Sequence, residues 1–188
     1  MPEAPARLTV LAHPATTAAS GLVLGDRGPL LRPASVRPLT GPVVGWWSGP
    51  EPAARQTAAL SAGPEVTASV EPALADADLG AWGGRALADV AGEDPDGLRA
   101  WLVDPDARPP AGETATELLD RLRGLLDRPW PGGRSVLVVT PSVARALVVA
   151  ALDAPASVLP AVDVAHGGRV QLSRSGTRWR LQELVRHS

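Results

Sequence analysis

Several apolar stretches of the chain have the length and pattern of β-strands. The runs RLTVLA (residues 7–12) and SVLVVT (135–140) are almost continuously apolar, which is typical of strands buried on both faces of a parallel sheet. The stretch GPVVGWW (41–47) predicts another strand, and EVTASV (65–70) predicts a short one. Near the end of the sequence, GRVQLSRSGTRWRLQEL predicts a β-hairpin that turns at Ser175-Gly176.

Helical periodicity is clearest in residues 114–128, where leucines recur at the spacing of one helix face. That face consists of Leu118, Leu119, Leu122, Leu125 and Leu126. Thr114 followed three residues later by Glu117 is the pattern of a capping box. Residues 141–152, PSVARALVVAAL, predict a second helix directly after the most apolar strand.

A third helix is predicted to begin at Pro50 or Pro52 and to end near Gly63. Residues 14–33 could hold a short helix and a loop, and residues 93–113 are rich in turn-forming residues. Strands that alternate with helices predict an α/β protein with three layers, α/β/α, around a mostly parallel central sheet. With no evident boundary or repeat, residues 1–188 are expected to form a single domain.

Composition and charge narrow the classes of function. The 188 residues carry a net charge of -2 with both signs scattered, which indicates neither a nucleic-acid groove nor an anionic membrane surface as partner. The absence of cysteine excludes disulfides, thiol catalysis and thiolate metal sites. No leader segment or membrane span is evident, so a cytoplasmic location is expected. Because the sequence has no lysine, every fixed side-chain cation is an arginine.

The candidate chemistry begins where the predicted strands end. His13 follows the first strand, and Pro141-Ser142 follow the most apolar one. Because ligands of open α/β sheets bind beyond the carboxyl ends of the strands, these residues are expected to face one pocket.

Further along the chain, short motifs occur in a recognisable order. After Ala12-His13-Pro14 and Thr16 comes Gly49-Pro50-Glu51-Pro52-Ala53-Ala54-Arg55-Gln56-Thr57-Ala58. Asp76 precedes Gly80 by four residues, Trp82 and Gly84 follow, and Gly112-Glu113-Thr114 comes next. The last element of the series is Thr140-Pro141-Ser142-Val143-Ala144-Arg145. In this order and over nearly its whole length, the chain resembles the histidine phosphatase superfamily, whose best-known branch is phosphoglycerate mutase-like.

The resemblance implies a metal-free reaction in which a neutral histidine attacks phosphorus and forms a phosphohistidine. Two arginines and a second histidine of the family hold the phosphate oxygens, and an acid protonates the leaving oxygen. In this sequence the histidine corresponds to His13 and the acid to Asp76. The two arginine positions correspond to Ala12 and Ala53, and the second histidine is replaced by Pro141 or deleted before it. Loss of one such donor typically removes about 10²–10³ in rate, so a degenerate, very weak phosphatase is expected.

Eight residues are candidates for the site. The catalytic candidates are His13 and Asp76, and the substrate-binding candidates are Thr16, Trp47, Thr140, Ser142, Arg145 and His166. Several of them also have a purely structural interpretation. His13 could be an inert inherited residue, Asp76 a turn cap, and Thr140 or Ser142 a helix cap. No metal or cofactor is expected.

The sequence is compatible with three functions. The first is a fold repurposed to bind or transform a mostly uncharged small molecule by acid–base chemistry at His13 and Asp76. The second is a non-catalytic pseudophosphatase that acts as a binding or regulatory protein. The third is residual hydrolysis of phosphomonoesters through His13. A small-molecule ligand is the expected partner, and a homodimer is a further candidate because relatives often form dimers.

Overall fold

The computed structural model describes residues 4–17, 22–25 and 28–185. Six strands form one sheet in the order β3-β2-β4-β1-β5-β6. The strands are β1 (Ala6–Ala12), β2 (Gly45–Ser48), β3 (Ser69–Val70), β4 (Gly133–Val139), β5 (Arg169–Ser175) and β6 (Arg178–Val185). Strands β1 to β4 pair in parallel, whereas β5 and β6 join as antiparallel strands at the edge next to β1. The sheet is therefore mostly parallel, as predicted.

Helices cover both faces of this sheet, which makes the expected three-layer arrangement. The helices are α1 (Pro52–Ala62), α2 (Leu87–Glu93), α3 (Pro95–Val103), α4 (Ala115–Leu126) and α5 (Pro141–Ala151). Helix α1 packs on one face and α4 and α5 on the other, whereas α2 and α3 pack against each other in a separate cluster. Successive β4 side chains point to opposite faces. Leu137 and Val139 belong to the large core under α4 and α5, while Val136 and Val138 pack under α1. None of the helices in the described part of the chain is long and apolar enough to span a membrane.

The helices and strands predicted from the strongest apolar patterns are present in the structure. Helix α4 begins after Thr114, and both hydrogen bonds of the predicted capping box with Glu117 are present. Helix α5 and strands β1 and β4 also lie within two residues of their predicted bounds. Helix α1 starts at Pro52, and Gly63 follows it with a φ of 85°, a conformation that glycine adopts without strain.

Other predicted bounds were wrong. Strand β2 begins at Gly45, four residues late, because Gly41 has a φ of 87° and proline follows it. Only Ser69 and Val70 of the predicted strand 65–70 pair with the sheet. The hairpin turns at Gly176-Thr177, one residue later than predicted.

The turn-rich segment 93–113 contains a helix that the sequence reading missed. Helix α3 starts with Pro95, and the side chain of Asp94 caps it by accepting a hydrogen bond from the Gly97 N–H. In residues 14–33 the described portion forms bridges and turns, with Thr16 paired to Leu30, and a 3₁₀ helix follows at Pro33–Ser35. Residues 18–21 and 26–27 of that segment lie outside the described residues.

Candidate active site

His13 lies at the carboxyl end of β1, where the backbone fixes it from two sides. Its N–H donates to the Val139 carbonyl (2.9 Å), and its carbonyl accepts from the Gly167 N–H (3.2 Å). The side chain is 2% exposed. The ring Nδ1 lies 2.8 Å from the Pro14 carbonyl oxygen. Because a carbonyl only accepts, Nδ1 carries the hydrogen, and in the neutral ring Nε2 keeps its lone pair.

Asp76 reaches the same region from the loop after β3. Its Oδ1 accepts from the Ala77 N–H (3.0 Å) and from the hydroxyls of Thr140 (3.1 Å) and Ser142 (2.5 Å). Thr140 is also the N-cap of α5, because its Oγ1 accepts from the Val143 N–H. The capping interpretation of Thr140 is therefore correct, and the same hydroxyl also fastens Asp76 to the end of β4.

A cavity of about 290 Å³ brings these groups together. Its described lining residues are His13, Leu22, Val23, Gly25, Asp76, Thr140, Pro141, Ser142 and His166. The rings of His13 and His166 lie 5.8 Å apart between centroids and are tilted by 47°. Five of the eight candidates thus share one cavity, and the described lining residues include no arginine.

The other three candidates are not among the described residues that line this cavity. Trp47 folds back over Gly45 and packs edge-on against Trp130, with 5.2 Å between ring centroids. The Trp47 ring is therefore partly buried against the large core. It fits there because Gly45 has no side chain in the space that the ring occupies. Thr16 is buried at its bridge to Leu30, and Arg145 is half-buried in the second turn of α5.

Glu51 is a buried acid next to the site that the sequence analysis did not include. It follows β2 as the N-cap of α1, it is 9% exposed, and its Oε1 accepts from the Asp76 N–H at 2.7 Å. Burial is the main cause that raises the pKa of Glu51 above its ordinary value. A second cavity, of about 390 Å³, contains Glu51, Asp76 and Asp78 in its lining and shares Asp76 with the first. The only sequence signal was an acid between two prolines at a helix start.

Two further charged residues hold the loop that carries Asp76. Arg121 of α4 donates to the carbonyls of Ala73 (2.7 Å) and Ala75 (3.1 Å). It also forms a two-bond ion pair with Glu113, at 3.0 and 2.8 Å. Glu113, the acid of the Gly-Glu-Thr motif, in turn accepts from the Asp78 N–H. Among residues 4–17, 22–25 and 28–185, no group of three or more His, Asp or Glu side chains has the arrangement of a metal centre.

The fold places His13, Asp76 and Thr140 together at one edge of a mostly parallel α/β sheet. Residues 34–187 match the family model described as histidine phosphatase superfamily (branch 1), and the chain belongs to that family. The matched region begins after His13. Among curated proteins, the chain is 40% identical over 93 residues to the bifunctional protein Rv2228c of Mycobacterium tuberculosis (strain ATCC 25618 / H37Rv). That match covers 48% of the chain and only 26% of the relative, so the chain spans about a quarter of that protein's length.

Solved structures with the same fold align over nearly the whole chain. The alpha-ribazole phosphatase from Shigella flexneri superimposes with a TM-score of 0.81 at 18% identity, covering 95% of both chains. The mycobacterial glucosyl-3-phosphoglycerate phosphatase Rv2419c with inorganic phosphate gives a TM-score of 0.75 at 25% identity. It covers 94% of this chain and 95% of that one.

Proposed function

We propose that this protein is a histidine-phosphatase-fold protein whose pocket binds and transforms a mostly uncharged small molecule. His13 and Asp76 are the acid–base pair of this proposal. One observation carries it: the described side chains around His13 offer carboxyl, hydroxyl and imidazole groups, with no guanidinium among them. Such a lining suits a ligand that donates and accepts hydrogen bonds better than it suits a dianion.

The charges around the pocket also favour an uncharged ligand. A phosphomonoester carries up to two negative charges, and its transition state needs fixed positive groups around the equatorial oxygens. The family's arginine positions correspond here to Ala12 and Ala53, each 2% exposed. The neighbouring acids Asp76 and Glu51 add no positive charge to compensate. A phosphate dianion would therefore be held weakly both in the ground state and in the transition state.

The geometry suits proton transfer instead. With Nδ1 donating to the Pro14 carbonyl, His13 presents Nε2 as a base toward water or a substrate hydroxyl. Asp76 accepts hydrogen bonds from the Thr140 and Ser142 hydroxyls at the same cavity, and it is the second proton-exchanging group of the proposed pair. His166 supplies a second imidazole at the cavity. Cytoplasmic location and dimer formation stay predictions.

Phosphomonoester hydrolysis through His13 is the second candidate. It is favoured by the same Nδ1 hydrogen bond, because that bond places the hydrogen on Nδ1 and the lone pair on Nε2, and a histidine that attacks phosphorus uses such a lone pair. The similar folds named above belong to an alpha-ribazole phosphatase and a glucosyl-3-phosphoglycerate phosphatase, which makes phosphate esters the natural comparison substrates.

A paired screen separates the candidates. Wild type, His13→Ala and the control His187→Ala are assayed on uncharged p-nitrophenyl esters and on p-nitrophenyl phosphate. We expect turnover of an uncharged ester that is lost only in His13→Ala, together with very weak binding of inorganic phosphate in calorimetry. Rapid hydrolysis of the phosphate ester with a phosphorylated His13 would establish the second candidate. No turnover of any substrate, with His13→Ala indistinguishable from wild type, would favour a non-catalytic binding protein.

A further inference from the structure

The carboxyl group of Glu51 occupies a space that exists because residue 49 is glycine. A Cβ added at Gly49 would collide with Glu51 Oε2 and would lie 2.8 Å from the Leu74 carbonyl oxygen. These two oxygens therefore flank the same small volume beside Gly49. Any residue with a side chain at position 49 would have to displace one of them.

The two oxygens of Glu51 differ in what surrounds them. Oε1 accepts the 2.7 Å hydrogen bond from the Asp76 N–H. Oε2 is buried and has no hydrogen-bond partner among the described residues. The Leu74 carbonyl likewise accepts no hydrogen bond from the described part of the chain. Two buried acceptors on either side of one gap are unfavourable, unless one of them carries a hydrogen.

We propose that Glu51 is a positioning residue that holds the Asp76 loop as a neutral carboxylic acid. Its Oε1 accepts from the Asp76 N–H, and its protonated Oε2 donates to the Leu74 carbonyl. One side chain then ties down the backbone on both sides of Ala75. With that backbone fixed, Asp76 Oδ1 stays within reach of Thr140 and Ser142 at the His13 cavity.

The surrounding charges support the neutral form. The charged groups that face Glu51 are Asp76, on the loop after β3, and Arg121, on α4. Burial raises the pKa of Glu51 most, and Asp76 raises it further, while the Asp76 N–H and Arg121 lower it. A neutral Glu51 also removes like-charge repulsion at the place where its side chain binds the backbone of Asp76.

These two hydrogen bonds of a neutral Glu51 should make the free energy of unfolding depend on pH. Because the folded state holds this proton more tightly than the unfolded chain, its contribution is complete below the ordinary pKa of 4.5. It is then lost as pH rises from there through the raised native pKa. Glu51→Gln keeps an acceptor and gains a permanent donor, so this variant should lack that part of the pH dependence.

The experiment compares Glu51→Gln, Glu51→Leu and the exposed control Glu65→Gln. Urea unfolding is followed between pH 4 and pH 8, and the Glu51 Cδ resonance is titrated by ¹³C NMR. We expect the resonance to titrate above 4.5. The decline of stability with pH should be absent in Glu51→Gln and in Glu51→Leu, which both lack the titrating carboxyl, and it should be retained in Glu65→Gln. A Glu51 carboxyl that titrates at its ordinary value, with the same pH slope in wild type and Glu51→Gln, would overturn the proposal.

The catalytic consequence rests on the proposed function, whereas the hydrogen-bonded tie does not. If Asp76 acts in the reaction, Glu51→Leu should lower kcat about 10²-fold, the scale of a 1 Å misplacement, with KM little changed. Glu51→Gln should restore most of that loss. A wild-type kcat in a folded Glu51→Leu would contradict the positioning role. Absence of any reaction in wild type would refute the proposed function and leave the NMR and unfolding tests of the tie intact.

Discussion

Helix α4 joins two parts of the molecule that are held together by different forces. On one side its leucines pack with α5 and the central strands in the largest core cluster. On the other side Arg121 reaches residues 71–80, the loop that carries Asp76, and holds it through two carbonyls and Glu113. Two consecutive residues of α4 thus have different roles: Arg121 binds the loop, and Leu122 packs in the apolar core.

The apolar contacts of α4 stabilise the fold, whereas its polar contacts position the loop that carries Asp76. Apolar burial has little directionality, so the core stabilises the sheet without fixing any side chain to a particular hydrogen-bonding partner. The bonds of Glu51, Glu113 and Arg121 are directional and end on backbone groups of the loop. Loss of the core should therefore lower stability, whereas loss of a polar anchor should lower activity out of proportion to stability.

The largest effect is expected for Leu122→Ala. Leu122 is fully buried between α4 and the sheet, and removal of such a side chain typically lowers the free energy of unfolding by about 2–5 kcal/mol. Urea denaturation measures the change. Leu102→Ala is the matched control, because Leu102 is 60% exposed and should change stability by less than about 0.5 kcal/mol. Equal effects of the two substitutions would show that the α4 side is not the main core.

A smaller loss of stability, with a larger loss of function, is expected for Arg121→Gln. The side chain of Arg121 is 26% exposed and that of Glu113 17% exposed, so solvent screens this pair only in part. Loss of its charged hydrogen bonds should lower stability by about 1–3 kcal/mol and release residues 71–80.

Two measurements check this prediction together. Amide hydrogen exchange should quicken in residues 71–80 and stay slow in β4, and His13-dependent turnover should fall further than in Leu122→Ala under conditions where both variants are folded. The control is Arg99→Gln, whose ion pair with Asp96 is exposed on α3. Uniformly faster exchange across the sheet would mean that Arg121 belongs to the core and not to the loop.

The same contrast explains how far the sequence could predict the structure. Helix α4, helix α5 and strands β1 and β4 follow from apolar spacing, and the meeting of His13 with Thr140 follows from parallel strands ending at one edge. The loop anchors join residues 25 apart, as from Glu51 to Asp76, or 48 apart, as from Arg121 to Ala73. No periodic pattern marks such contacts. Trp47 was misplaced because the sequence does not show that its ring folds over Gly45.

The smallest effect is a gain, expected at Gly124 on the exposed face of α4. A Cβ added there would meet nothing within 4 Å, and alanine forms helix more readily than glycine by about 0.8–1.0 kcal/mol in a helix interior. Because Gly124 lies in the last turn of α4, Gly124→Ala should stabilise the protein by somewhat less than this. Thermal unfolding should show a raised midpoint, whereas turnover should equal that of wild type because no anchor of residues 71–80 is touched. A change in turnover without a change in midpoint would contradict the prediction, and it would show that the exposed face of α4 also affects the position of Asp76.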